Sequence, residues 1–289
     1  METSELLKKV RKIEIKTRGL SKQIFSGEYH STFKGRGMSF SEVRDYQFGD
    51  DVRNIDWNVT ARTGDPHVKI FEEERELTVM LLIDVSQSSY FGTVNQFKQG
   101  IITEIAAVLS FSAIQNNDKV GVLFFSDQIE KFIPPKKGKP HILRIIRELI
   151  NFQPEGKGTN LALALEYFNN LVKKRSICFI LSDFMTMGYE NPLRIAGRRH
   201  DIIGVHLFDP KEQEIPNVGL IRALDAETGE LVWLDTGSKA VRTHYRNRFD
   251  ENFEYFRSTF LKSGSDSMSI RTDESYVNAL MKFFKKRHG

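Results

Sequence analysis

Three short stretches carry oxygen ligands and nothing softer. Asp84-Val85-Ser86-Gln87-Ser88 follows one apolar run, Ser182-Asp183 follows another, and Gly156-Lys157-Gly158-Thr159-Asn160 precedes a periodic apolar segment. Brought together, Asp84, Ser86, Ser88, Thr159 and Asp183 offer two carboxylates and three hydroxyls, with no His or Cys. Such a set suits a hard divalent cation, Mg²⁺ first, with Mn²⁺ or Ca²⁺ as the alternatives. Two carboxylates balance the charge of the ion, and neutral hydroxyls complete its sphere without over-neutralising it. The ion then stays electrophilic toward one more carboxylate, a Glu or Asp from another protein. Singly, each residue has a plainer role: Thr159 or Asn160 as a helix cap, Asp84 as a turn residue, Ser86 and Ser88 as loop filler. The set is more specific than any of its members.

The elements that must position these loops are legible from periodicity. Leu77 to Ile83, Val120 to Phe125 and Ile177 to Leu181 are continuous apolar runs of strand length, expected for strands covered on both faces. Between them, Phe97, Ile101, Ile105, Val108 and Leu109, then Ile142, Ile145, Ile146 and Leu149, then Leu161, Leu165, Phe168 and Val172 recur at helical steps. Gln128 to Ile133 reads as a hairpin strand ending at Pro134-Pro135, Leu193 to Arg199 as a short helix, and Ile202 to Phe208 as a further strand. Residues 211–238 read as a polar excursion with a hairpin (Ile221 to Leu224, Leu231 to Leu234). A basic helix at Val241 to Leu261, a strand near Met268 to Ile270 and a last helix through Phe284 follow. Strands separated by helix-length segments predict an α/β fold, doubly wound, with a mostly parallel central sheet and helices on both faces. Ligands of such sheets sit beyond the carboxyl ends of the strands, where the three acidic and hydroxylic stretches fall.

The chain divides in texture into an extension, residues 1–75, and a main domain, residues 76–289. The extension is expected to need the main domain to bury Phe33, Phe40, Tyr46 and Trp57. With 289 residues, 40% hydrophobic and 28% charged, the composition is globular. Net charge is +4, but residues 1–40 hold nine Lys/Arg against four Asp/Glu and residues 239–289 eleven against six, leaving the middle acidic. The basic ends read as solvated helical surfaces rather than nucleic-acid patches. The single cysteine, Cys178, lies in an apolar run and reads as a buried thiol. The start lacks the apolar stretch of a signal peptide, and no run reaches the ~20 residues that span a bilayer. A cytoplasmic protein is expected, held at the inner membrane, if at all, through partners.

Enzymatic readings lack their groups. Ser86 stands where a haloacid-dehalogenase-type phosphatase needs a second carboxylate. No Gly-x-Ser-x-Gly elbow surrounds Ser86 or Ser88, and Gly156 to Thr159 fails the P-loop spacing. His200 and His206 lie near the fifth strand and need no function. A metal-dependent hydrolase using the same acidic strand-end site is the alternative, with no base or nucleophile nominated for it.

Asp84-x-Ser86-x-Ser88 with Thr159 and Asp183 resembles the metal-ion-dependent adhesion site (MIDAS) of von Willebrand factor type A-like domains. Gly35 to Tyr46, leading into Phe48-Gly49-Asp50-Asp51-Val52-Arg53-Asn54-Ile55-Asp56-Trp57 and Thr60-Ala61-Arg62-Thr63-Gly64, closely resembles the signature of the bacterial domain of unknown function 58 family. Ser182-Asp183-Phe184, His200-Asp201 and Asp209-Pro210-x-Glu212 also fit it. The resemblance implies a von Willebrand factor type A-like domain whose Ser and Thr hydroxyls bind the ion, with the carboxylates acting directly or through water. It also implies a MoxR-type AAA+ ATPase as partner, in chaperone-like maturation or stress response, the partner or its client donating the Glu or Asp. Many members carry membrane segments; none is read here. Ser89 stands where a Met is common and is expected to change only the rim. Arg44, Gly49, Asp50, Arg53, Asp56, Trp57 and Arg62 are the signature positions, read either as a salt-bridged clamp or as a partner surface, with Trp57 expected to be a buried anchor. Ser86→Ala or Asp183→Ala is expected to abolish ion binding and leave the fold largely intact.

Overall fold

The computed structural model describes residues 39–72, 77–90, 98–224 and 231–288, with positions 8, 11, 13 and 14 near the start. Expectations for Phe33 and the side chain of Phe40 lie outside the described residues.

Strand β3 (Thr78–Asp84) is the hub of the larger unit. Its residues Val79 to Ile83 are buried, because a parallel strand between two helical layers has no solvent face. It pairs in parallel with β4 (Lys119–Phe125) on one side and β6 (Ile177–Ser182) on the other. Strand β7 (Asp201–Phe208) pairs in parallel with β6, and β10 (Asp266–Arg271) with β7. Strand β5 (Ile129–Lys136) closes the other edge, antiparallel to β4. The six-stranded order is β10-β7-β6-β3-β4-β5. The expected stop at Pro134-Pro135 does not occur: β5 runs through both prolines to Lys136. As an edge strand it tolerates their missing N–H groups.

Alternate residues of β3 face opposite layers. Met80 and Leu82 join a core with Leu165 and Phe168 of a helix at Leu161–Leu171, Leu193 of a helix at Glu190–Arg199, and Phe256 and Phe260 of a helix at Lys239–Ser263. That last helix approaches β7 closely at Gly204, where a Cβ would lie 2.6 Å from the Phe260 ring. The opposite layer holds the helix Lys98–Gln115, almost wholly buried, and the helix Tyr276–His288, whose Phe284 ring lies 6.3 Å from that of Phe179. The stretch 211–238 contains the expected hairpin, as β8 (Leu220–Leu224) and β9 (Leu231–Asp235). Among the described residues no helix is long and apolar enough to cross a membrane.

A smaller unit lies within Tyr29–Leu77; positions 8, 11, 13 and 14 group with the larger one. The smaller unit has a two-stranded antiparallel sheet, β1 (Ser39–Asp45) and β2 (His67–Glu72), around a short helix at Trp57–Thr63. Trp57 is not the buried anchor the sequence suggested. It is 68% exposed, as are Phe48 and Val52 to similar or greater extent, while Tyr46 is half-buried.

Candidate functional site

Asp84 ends β3 and Ser182 ends β6, the strand beside it. The Ser182 hydroxyl donates to Asp84 Oδ2 at 2.6 Å, and the Ser86 amide donates to Asp84 Oδ1 at 2.9 Å. Thr159 Oγ1 reaches the same Oδ2 at 3.4 Å, and the Ser86 and Ser88 hydroxyls are 3.0 Å apart. Burial pushes the Asp84 carboxyl up to about 6, with the charge of Asp183 adding to the effect. Asp84, Ser86 and Asp183 are buried; Ser88 and Thr159 are half-buried. All five residues read from sequence therefore meet at the carboxyl ends of the strands.

The loop carrying Thr159 is fixed from below. Glu130 Oε1 accepts from the Gly156 amide at 2.8 Å and from the Ser126 hydroxyl at 2.6 Å. The Asn160 amide donates to the Ser126 carbonyl at 2.8 Å, and the Asn160 side chain caps the following helix by accepting from the Leu163 amide. Asn160, not Thr159, is thus the cap, which leaves the Thr159 hydroxyl for the site. Gly156 leaves room here: a Cβ would run into the Ser126 hydroxyl and the Asp127 carboxylate, one or both of which would have to shift.

Asp183 is set by a backbone turn of unusual conformation. Phe184, buried, has φ 51°, a left-handed conformation that a bulky side chain adopts only under constraint. The turn lets the Phe184 amide donate to Ser182 Oγ at 3.0 Å and the Met185 amide to Asp183 Oδ1 at 3.3 Å.

Sequence reasoning missed two groups. Lys98, 1% exposed, donates from Nζ to Asp183 Oδ2 at 2.8 Å and to Glu212 Oε1 at 2.7 Å. Burial would raise the Asp183 carboxyl; the Lys98 ammonium overrides it, helped by the Ser88 hydroxyl and the Met185 amide, and holds Asp183 below the usual range. Burial alone would lower Lys98, but Asp183 and Glu212 hold it above its ordinary value. Glu212 is raised by burial and by Asp183, against the pull of Lys98. Its other oxygen accepts from the Asp209 amide at 2.8 Å, closing a capping box with Asp209. The readable signal for Lys98 was its place one turn ahead of Ile101 and two ahead of Ile105, on the apolar stripe. Ser89, expected at the rim, is instead buried, and its hydroxyl donates to the Asp84 carbonyl at 3.0 Å.

The donor chemistry fits a hard dication. Among the described residues no group of three or more His, Cys, Asp or Glu is placed to hold an ion, so any ion here would rest on Asp84, Asp183 and neutral oxygens. His200 packs away from the site, 4.5 Å from Phe168, whereas His206 pairs with Ser182 across β6 and β7, borders Asp183 and stacks 5.0 Å from Phe208. Burial holds both near a pKa of about 4, hence neutral.

In the smaller unit, Arg44 forks onto Asp50 with both bonds at 2.8 Å, and Asp50 also accepts from the Gln47 amide. This pairing raises Arg44 and lowers Asp50. Asp51 accepts from Arg53 N and Nε, and Asp56 caps the helix through the Asn58 and Val59 amides. Gly49 has φ 108°, closing the turn that brings Asp50 to Arg44. These ion pairs lie inside the unit; Trp57 and Arg62 point to solvent.

Comparison with known proteins gives a family and distant structural likenesses. The family model described as protein of unknown function DUF58 matches residues 42–254. The uncharacterized protein Rv1480 of Mycobacterium tuberculosis (strain ATCC 25618 / H37Rv) is 28% identical over 290 residues, covering 99% of this chain and 91% of its own. An uncharacterized protein of Mycobacterium avium is 24% identical over 162 residues, covering 54% of this chain and 93% of its own. Among solved structures, the conserved hypothetical protein BatB from Bacteroides thetaiotaomicron is 14% identical with a TM-score of 0.48, covering 73% of this chain and 98% of its own. The VWA domain of SpRpn10 is 13% identical with a TM-score of 0.37, covering 71% and 94%.

Proposed function

The chain belongs to the DUF58 family, and from that premise we propose that it is a non-enzymatic, divalent-metal-dependent protein-interaction module of von Willebrand factor type A-like design. The observation that supports this most is the convergence of Asp84, Ser86, Ser88, Thr159 and Asp183 from three separated loops. A hard dication held there supplies a coordination position for a Glu or Asp of another protein. The half-buried hydroxyls of Ser88 and Thr159 form the side from which that carboxylate approaches. The buried side is closed by Ser182, Ser89 and Lys98.

The partner we propose is a MoxR-type AAA+ ATPase or its client, in maturation or stress response. In the smaller unit, Arg44, Gly49, Asp50, Arg53 and Asp56 build the local turn and caps, and the outward Trp57 and Arg62 offer contact. Recovery of the ATPase on the immobilised protein in Mg²⁺, compared with recovery in EDTA, tests the proposal. Loss in EDTA and in Ser86→Ala is expected; equal recovery in all three removes the metal from the mechanism.

A further inference from the structure

Lys98 is a fully buried ammonium placed against one of the two carboxylates proposed to hold an ion. A lone charge there would be very costly; two carboxylates make it tenable. One of them, Asp183, belongs to the strand-end site. The other, Glu212, belongs to the capping box after β7 and has no part in the donor set. The ammonium thus sits between a proposed ligand and a second acid, hydrogen-bonded to both.

The consequences are electrostatic and steric. Asp183 Oδ2 is taken by Lys98 and Oδ1 by the Met185 amide, so Asp183 offers an ion less than a free carboxylate would. With Asp84, Asp183 and Glu212 ionised and Lys98 charged, the cluster carries −2, the charge one dication neutralises. Without Lys98 it would carry −3.

We propose that Lys98 is a built-in counter-cation that competes with the divalent ion for Asp183, and that Glu212 is the acid onto which the ammonium withdraws when the ion binds. Lys98 in this role is a positioning residue. Its charge brings the ion-free cluster from −3 to −2 and keeps ion affinity low. A bound dication brings the cluster to neutrality, and the foreign carboxylate then fills a coordination position rather than a charge deficit. This rests on the metal reading above, and its test separates the two.

Mn²⁺ binding is measured by electron paramagnetic resonance of the free ion on the full chain, for wild type, Lys98→Met, Glu212→Gln and Asp84→Asn, with circular dichroism reporting the fold. Removing the competitor in Lys98→Met is expected to tighten Mn²⁺ binding at least tenfold. Glu212→Gln gives the ammonium wholly to Asp183 and is expected to weaken binding at least threefold. These opposite signs are the signature, since a merely structural role for the pair predicts weaker binding in both. Weaker or unchanged binding in a folded Lys98→Met overturns the inference while wild-type binding upholds the metal site. Should Lys98→Met not fold, Glu212→Gln decides: binding at wild-type strength or tighter overturns the inference. Binding only in Lys98→Met means that Lys98 stands in for the ion, the extreme form of the proposal. Absence of binding in every folded chain overturns the metal reading and this inference with it.

Discussion

The Ser182 hydroxyl donates to Asp84 Oδ2 at 2.6 Å, so the last residue of one central strand satisfies the last residue of its neighbour. Ser182 Oγ in turn accepts from the Phe184 amide, coupling the Asp84 carboxylate to the left-handed turn that aims Asp183. Ser182→Ala leaves a buried carboxylate oxygen and a buried amide short of a partner each. It is expected to cost about 1–3 kcal/mol, measured by urea denaturation. Ser88→Ala, at a half-buried position, loses the hydroxyl that bonds Ser86 and supports Asp183 and is expected to cost less, about 0.5–1 kcal/mol. Equal costs for the two would remove the structural role assigned to Ser182.

Asp183→Ala is a poor probe of ion binding, contrary to the expectation from sequence that it would spare the fold. It leaves the buried Lys98 ammonium with Glu212 alone. Breaking a buried ion pair from one side costs about 3–5 kcal/mol, so this variant is expected to melt well below wild type even without any divalent ion. Ser86→Ala disturbs no ion pair and is the cleaner variant. A melting curve in EDTA that superimposes Asp183→Ala on wild type would contradict the buried pair.

Gly156→Ala tests how firmly the Thr159 loop is held. Its Cβ would overlap Ser126 Oγ and Asp127, so the loop must move off Glu130. A cost of about 1–3 kcal/mol is expected, with Mn²⁺ affinity falling as Thr159 shifts. Unchanged thermal stability and affinity would show that the loop tolerates displacement.

The sheet was readable because it is buried on both faces: runs such as Val120 to Phe125 and Ile177 to Leu181 have no polar alternation to confuse them. The meeting of Asp84, Ser86, Ser88 and Asp183 was readable because they follow strands whose ends a parallel fold gathers, and that of Thr159 because its loop opens the helix beside them. Lys98 was not, because its partners lie 85 and 114 residues away and a cation on an apolar stripe carries no local sign of them. Trp57 was misread because large aromatics are usually covered. The cap at Asp56 fixes the helix start and leaves the next side chain outside.

That exposure separates two kinds of residue in the signature. Trp57→Ala removes no packed contact of a core, and stability is expected to change by less than about 0.5 kcal/mol. Asp56→Ala removes the side chain that accepts from the Asn58 and Val59 amides, at about 1 kcal/mol. Recovery of the ATPase proposed above as partner is expected to fall in Trp57→Ala despite the intact fold. Thermal melts alongside pull-down settle the point, and wild-type recovery would assign Trp57 no contact role.

His200 gives the pH dependence of stability its sign. Both ring nitrogens are buried without a hydrogen-bond partner among the described residues. Burial, with the charges of Arg199 and Arg175, holds the ring near a pKa of about 4. The unfolded chain protonates this His near its ordinary value of 6.5, so between pH 4 and 6.5 the unfolded state binds more protons. Stability from this residue is therefore fully present above pH 6.5 and is lost as pH falls toward 4, by roughly 3 kcal/mol at most. His206, also near 4, adds to the slope, while Asp84, raised to about 6, opposes it below pH 6. The wild-type curve mixes the three; comparison with His200→Leu isolates one. Leu fills a similar volume beside Phe168 and brings no unpaired nitrogen, so it is expected to match or exceed wild type at pH 5 and to lose that advantage by pH 7. Urea unfolding of both proteins at half-unit pH steps reads the difference directly, and parallel curves would show that His200 keeps its ordinary pKa in the folded chain.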